Sequence, residues 1–398
     1  MKNSFIVIVF LVLLVSCSND DVEVKADAIE QQVTSVSVLC QQRKAAQGID
    51  TEEQDDAIIN NGFTSGDRLY FSQRTVSADP NFNPENKEHP LYVYEYDESD
   101  ESGADWDNGY NFLCLDGTTP FDWKTVEKLG SVGNAFSMFA FHFPVENQVR
   151  FYVETDQRGN EGNRYAIDNF KKSDIMGAYH ATSSLYTRLR FRLFHLMVYL
   201  KVTLYVPVFE SSYQSETDAG FSGFDEGAMQ EAFVMNASTG FDIEWSTVRS
   251  SDIEPPHTKP VESTKNRIYM YCHEPDEGNT KELDVTDFYT GDNITKDKVR
   301  EYNFSVLFPE QNFGANNFLC FVLKGQEGDN KYYYYKNGNQ VSGNDERNYS
   351  LTQGTLQQLY LYLPRKTNET ILVGAKILPW KDATTGMTVT KDGNQNKE

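Results

Sequence analysis

Apolar and polar residues alternate with a period of two along much of this chain, the pattern of strands that bury one face. In residues 33–40, Val36, Val38 and Cys40 fall on one side and Ser35, Ser37 and Leu39 on the other. Gln41-Gln42-Arg43-Lys44 and a polar stretch to Asn61 follow, so this strand stands apart from the next element. Short strands bounded by turn residues are predicted at 68–73, 91–96, 111–115, 135–143 and 148–154, with an acidic loop at 97–108. Residues 186–206 contain a change of phase. Leu189, Phe191 and Leu193 are apolar at odd positions with Arg188, Arg190 and Arg192 between them, whereas Leu196, Val198, Leu200, Val202, Leu204 and Val206 are apolar at even positions. A slip of one residue would turn a whole core face to water. The spacing therefore predicts a bulge or break near Phe194-His195, with Phe191 and Leu196 both facing the core. A second set of strands is expected at 232–237, 267–272, 302–308, 317–323, 331–335, 357–363 and 372–378. The reading is all-β, with a boundary near residue 209 that divides 33–208 from 209–398.

The two ends follow other rules. Lys2 precedes an apolar run from Phe5 to Leu14, too short to span a bilayer comfortably, and Leu14-Val15-Ser16-Cys17 ends it. Residues 1–17 thus read as an export signal, and Leu-Val-Ser-Cys resembles a bacterial lipobox in which Cys17 is acylated before cleavage. Acyl chains would then hold the protein on a bilayer at about 0.8 kcal/mol per buried methylene. Ser18-Asn19-Asp20-Asp21 resembles the acidic tag that sends lipoproteins to the outer face of an outer membrane, and residues 18–32 are too polar to pack, which makes them a tether.

Composition narrows the function. Roughly 380 residues remain after the signal, about right for two domains. The 26 Phe and 23 Tyr suit twisted sheets. A net charge of -23 with few basic clusters argues against nucleic acid as a partner. Cys40, Cys114, Cys272 and Cys320 allow three disulfide pairings in an oxidising compartment, but Cys114 and Cys320 sit in apolar runs where a free thiol acts as a small hydrophobe.

Catalytic and cofactor motifs are missing from the sequence: it holds no HExxH, no GxSxG, no phosphate-binding glycine loop and no zinc spacing. His142 and His195 lie in strand patterns, as structural histidines do. Asp105-Trp106-Asp107-Asn108-Gly109 has its glycine one place early for a calcium loop and reads as a solvated acidic loop. In Tyr332–Tyr335 successive rings face opposite sides of a strand, so at most two share a surface. No enzyme activity, metal or cofactor is expected.

Several segments carry a family resemblance. Phe63-Thr64-Ser65-Gly66-Asp67, Pro120-Phe121-Asp122-Trp123, Phe139-Ala140-Phe141-His142-Phe143-Pro144 and Ser173-Asp174-Ile175-Met176-Gly177-Ala178 leading into 191–195 are similar to fimbrillin-like proteins, the subunits of type V pili of gut and oral anaerobes. Phe308-Pro309-Glu310-Gln311, Gly354 with 359–363, and Ile377-Leu378-Pro379-Trp380 extend the likeness over the second half. The resemblance implies two tandem transthyretin-like β-sandwich domains, export as a lipoprotein and a place on the cell surface in a pilus. It also implies an arginine-directed protease that removes the first strand, which puts the cut at Arg43-Lys44. Another subunit's strand would then enter the groove by β-augmentation. Residues 385–391, where Met387 and Val389 alternate with threonines, are a candidate donor strand, and a polar tail is the other reading. A host protein or glycan receptor is a further expected partner. The rival reading is a lipid-anchored glycan-binding module of the outer membrane.

Overall fold

The computed structural model describes residues 32–33, 35–40, 63, 65–75, 81–82, 91–97, 99, 110–122, 136–144, 151–159, 167–182, 189–210, 223–244, 256–273, 278–286, 295–314, 316–336, 351–365, 370–379, 387–390 and 395–396. Cys17, Arg43, Lys44 and the acidic segment 105–109 lie outside them.

The first half contains β1 (Gln32–Val33), β2 (Ser35–Cys40), β3 (Arg68–Thr75), β4 (Asn81–Phe82), β5 (Tyr92–Tyr96), β6 (Tyr110–Cys114), β7 (Phe121–Asp122) and β8 (Phe136–His142). A one-turn helix, α1 (Asp168–Lys171), leads to β9 (Met176–Thr182) and β10 (Leu189–His195). Then come β11 (Met197–Pro207), β12 (Met229–Ser238), β13 (Phe241–Glu244), β14 (His257–Pro260), β15 (Lys265–Tyr269), β16 (Tyr271–Cys272), β17 (Thr280–Asp284) and β18 (Lys296–Pro309). The chain closes with β19 (Asn317–Lys324), β20 (Asn330–Lys336), β21 (Thr355–Tyr362), β22 (Ile371–Pro379), β23 (Met387–Thr390) and β24 (Gln395–Asn396). The fold is all-β, as the alternation predicts.

Hydrogen bonds join the layers of the first half into a closed barrel of order β10-β2-β6-β5-β3-β8-β9. Its interior holds Val36, Val38, Leu69, Phe71, Tyr94, Phe112, Met138, Ala140, Leu189 and Phe191. The alternate residues Tyr70, Phe139 and Phe141 point out of the barrel, yet they are buried too, because they pack into a larger core with Val153, Leu196 and the second half. Burial on both faces explains the unbroken apolar runs Leu69-Tyr70-Phe71 in β3 and Met138-Phe139-Ala140-Phe141 in β8.

The second half layers two sheets. One has the order β16-β18-β11-β21-β22-β23-β24 with β17 also on β18, and the other is β15-β12-β19-β20. Val198, Leu200, Val202, Val306 and Leu361 from the first meet Val234, Leu319, Phe321 and Tyr335 from the second in one core.

The predicted break falls where the phase changes. β10 ends at His195, Leu196 is outside any strand, and β11 begins at Met197. Phe191 and Leu196 are both buried, but they enter different cores, Phe191 the barrel and Leu196 the larger cluster. The sequence expectation placed them in a common core. The odd-to-even shift thus marks passage between sheets rather than a bulge within one. β11 then pairs with β18 on one side and β21 on the other, so the hydrogen-bonding partners change at Leu196.

The strand expected at 148–154 also differs. Its described part pairs only at an isolated bridge, Tyr152 with Gly240, because its neighbours belong to the second half. Val153 N–H donates to Thr239 O at 2.9 Å, Phe241 N–H to Phe151 O at 3.0 Å and Tyr269 N–H to Thr155 O at 2.8 Å. Gly177 explains another tight seam. A Cβ there would lie 2.9 Å from Leu196 Cδ1 and 3.1 Å from Phe141, so only glycine lets β9 approach this closely.

Candidate functional site

The isolated first strand of the sequence occupies a slot in the barrel wall. β2 runs antiparallel to β6, with Val36 opposite Phe112 and Val38 opposite Tyr110. On its other side it runs parallel to β10, with Val36 opposite Leu189 and Val38 opposite Phe191. The family resemblance makes it a removable strand, and a strand at a sheet edge would leave one unpaired ladder when it goes. β2 is instead paired on both sides and closes the barrel, so its departure would expose two ladders of unpaired backbone, those of β6 and β10.

Alternation fixes what β2 contributes. Val36 and Val38 point inward and are fully buried, contributing about 1.5–3 kcal/mol each. Ser37 lies between them on the other face, also buried, and its Oγ has no hydrogen-bond partner among the described residues. The adjoining β1 pairs with β7, Val33 opposite Phe121. The Phe121 ring packs on Phe71 and Tyr92 at centroid separations of 5.5 and 5.1 Å. Its N–H donates to Tyr94 Oη at 3.2 Å, and burial pushes the Tyr94 phenol well up from its ordinary value. No spacing in the sequence pairs β1 with β7; the apolar Phe121 beside Pro120 is the one local signal of a buried position there.

A strand replacing β2 needs two apolar side chains two residues apart, in place of Val36 and Val38. Met387 and Val389 have that spacing. In the structure their backbone pairs with β22, Ile377 opposite Met387 and Ala375 opposite Val389, which makes β23 an added strand on the second half's large sheet.

The histidines have structural partners. His142 Nδ1 lies 3.1 Å from Arg68 O, and the ring meets Phe63 edge-on at 5.0 Å. His195 Nδ1 lies 2.7 Å from Asp174 Oδ1, both nearly buried, and this contact joins the Ser173–Ala178 segment to the end of β10. Cys320 is buried, Cys114 and Cys272 are half-buried, and all three are free thiols. The described residues contain no group of three or more His, Cys, Asp or Glu able to hold a metal ion. No helix among them is long and apolar enough to cross a membrane.

No family model matches the sequence, and no curated protein matches it. Solved structures do. A candidate cell adhesion protein from Bacteroides uniformis has 11% identity and a TM-score of 0.42, covering 87% of this chain and 97% of its own. The fimbrial anchor protein Mfa2 from Porphyromonas gingivalis has 7% identity and a TM-score of 0.33, covering 87% and 97%. The tip fimbrial protein Mfa3 from the same organism has 9% identity and a TM-score of 0.33, covering 87% of this chain and all of the truncated form solved. These likenesses are in fold and run over most of each chain.

Proposed function

We propose that this chain is a structural or tip subunit of a cell-surface pilus, with an adhesive and non-catalytic role, whose precursor is held at the outer membrane through an acylated Cys17 until it is cut after Arg43. In this reading β2 is a temporary plug. Cleavage after Arg43 frees it, and a strand from another subunit enters the slot between β6 and β10. The observation that carries the reading is the fit of β2: one short strand, followed by the basic pair Arg43-Lys44, closes the barrel between an antiparallel and a parallel neighbour. While attached, β2 has a higher effective concentration than any donor, so assembly waits for the cut.

The test is assembly before and after treatment of the full chain with an arginine-specific protease. Cut wild type should form oligomers visible by size-exclusion chromatography and electron microscopy, whereas Arg43→Ala should stay monomeric. Equal polymerisation of uncut protein, or monomeric cut protein that has lost residues 33–40, would overturn the proposal.

A further inference from the structure

The outward face of the sheet β15-β12-β19-β20 is unusual for the solvent side of a sheet, where polar residues are expected. Register places Tyr269, Phe233, Cys320 and Tyr334 in one row across its four strands. The next row holds Glu231, Val322 and Tyr332. Phe233, Cys320 and Val322 are buried within this face, while Tyr332 is 47% exposed at the open side. The hydrophobic floor is therefore preformed, and the tyrosines stand at its rim.

Two arginines lie over the floor, and they differ. Arg158 sits 4.1 Å from the Tyr269 ring centroid and is neutralised by Asp156 at 2.7 Å and Glu231 at 3.5 Å. Arg267 is exposed, with its guanidinium 4.9 Å from the Phe233 centroid, and it makes no ion pair among the described residues. A bulge in β12 sets its place: pairing with β15 shifts between Val234 and Ala237, and Asn236 takes a φ of 53°. Bulges commonly re-aim side chains beside binding sites. Burial raises the pKa of the Cys320 thiol, to about 12, and of the Tyr334 phenol, and the Arg267 charge pulls each back. At neutral pH Cys320 is thus an uncharged part of the floor and leaves Arg267 uncompensated.

We propose that this face binds an acidic saccharide, its sugar rings stacked on Tyr332 and Tyr334 and its carboxylate held by Arg267. The planar guanidinium matches a carboxylate with two parallel hydrogen bonds. A sugar's C–H face suits the tyrosine rings, whose hydroxyls and the Glu231 carboxylate reach its hydroxyl groups. In a chain of net charge -23, a single unpaired arginine on an aromatic floor selects a local anion rather than an extended polyanion such as nucleic acid. The site needs no strand exchange, so its test uses unassembled chain and fails or succeeds apart from the pilus reading.

That test is affinity electrophoresis of the full chain in gels containing polygalacturonate, neutral dextran or polyglutamate. Retention by polygalacturonate alone is expected. Arg267→Ala and Tyr332→Ala should each weaken it at least about tenfold, the loss of one charge-assisted or stacking contact. Tyr332 is exposed enough that its variant tests binding with the fold retained. No retention by polygalacturonate, equal retention by dextran, or unchanged retention of both variants would overturn the proposal. Equally tight binding of polyglutamate would do so as well, by assigning the face to an acidic peptide.

Discussion

Asp297 and Arg365 carry opposite charges with both side chains wholly shielded from water. Arg365 Nη2 donates to Asp297 Oδ1 at 2.6 Å and Nε to Oδ2 at 3.0 Å. Nη2 also reaches Val208 O at 3.0 Å, and Tyr362 Oη donates to Asp297 Oδ2 at 2.6 Å. Gly223, at φ 93°, leaves room for this cluster, since a Cβ there would lie 2.7 Å from Arg365 Nη1. Such a pair adds little net stability, but breaking it is costly because the surviving charge stays buried. Asp297→Ala should therefore lose about 3–5 kcal/mol in urea unfolding, whereas Asp297→Leu combined with Arg365→Met should recover most of that. Equal loss in the single and double variants would show that the cost lies elsewhere. In sequence Arg365 is one more arginine after Leu363-Pro364, and nothing local marks it as buried.

Strand β2 is the element on which the proposed function turns. Its two inward valines and two ladders hold it in place, so a charge at Val38 attacks it directly. Val38→Asp puts a carboxylate at a fully buried barrel position, where an unpaired charge is not tolerated. The variant should lose hydrogen-exchange protection at the amides of β6 and β10 by at least about a hundredfold, with β11 and β18 unchanged, because those belong to the other core. Loss of protection in β11 as well would mean that the barrel and the large sheet open together. The alternation of Val36 and Val38 was legible in sequence. Insertion between β6 and β10 was not, because the parallel partner lies about 150 residues away and contact at that range leaves no mark on spacing.

Across the whole molecule, glutamine side chains act as substitute strand residues. Gln157 is wholly buried; its Oε1 accepts from Leu307 N–H at 2.9 Å and its Nε2 donates to Leu307 O at 2.7 Å. Gln311 engages Ser238 N–H and O in the same way, and Gln353 accepts from Thr258 N–H while donating to Pro256 O. Gln157 matters most, because it anchors the segment 151–158 from the first half to β18 of the second. Gln157→Leu strands both polar groups of Leu307 and should cost about 1–3 kcal/mol for each one left unpaired. It should also speed proteolysis at Arg158, and an unchanged rate there would show that the anchor lies elsewhere. The chain's own pattern gave the all-β class, most strand positions and the break at Leu196, because a period of two reports which face of a strand is buried wherever the core may be. It did not give the partner of each strand. Which core Phe191 and Leu196 enter, the pairing of β11 with the second half and the gathering of Arg267, Phe233, Cys320 and Tyr334 on one face depend on long-range register, and that is set by packing between segments distant in sequence.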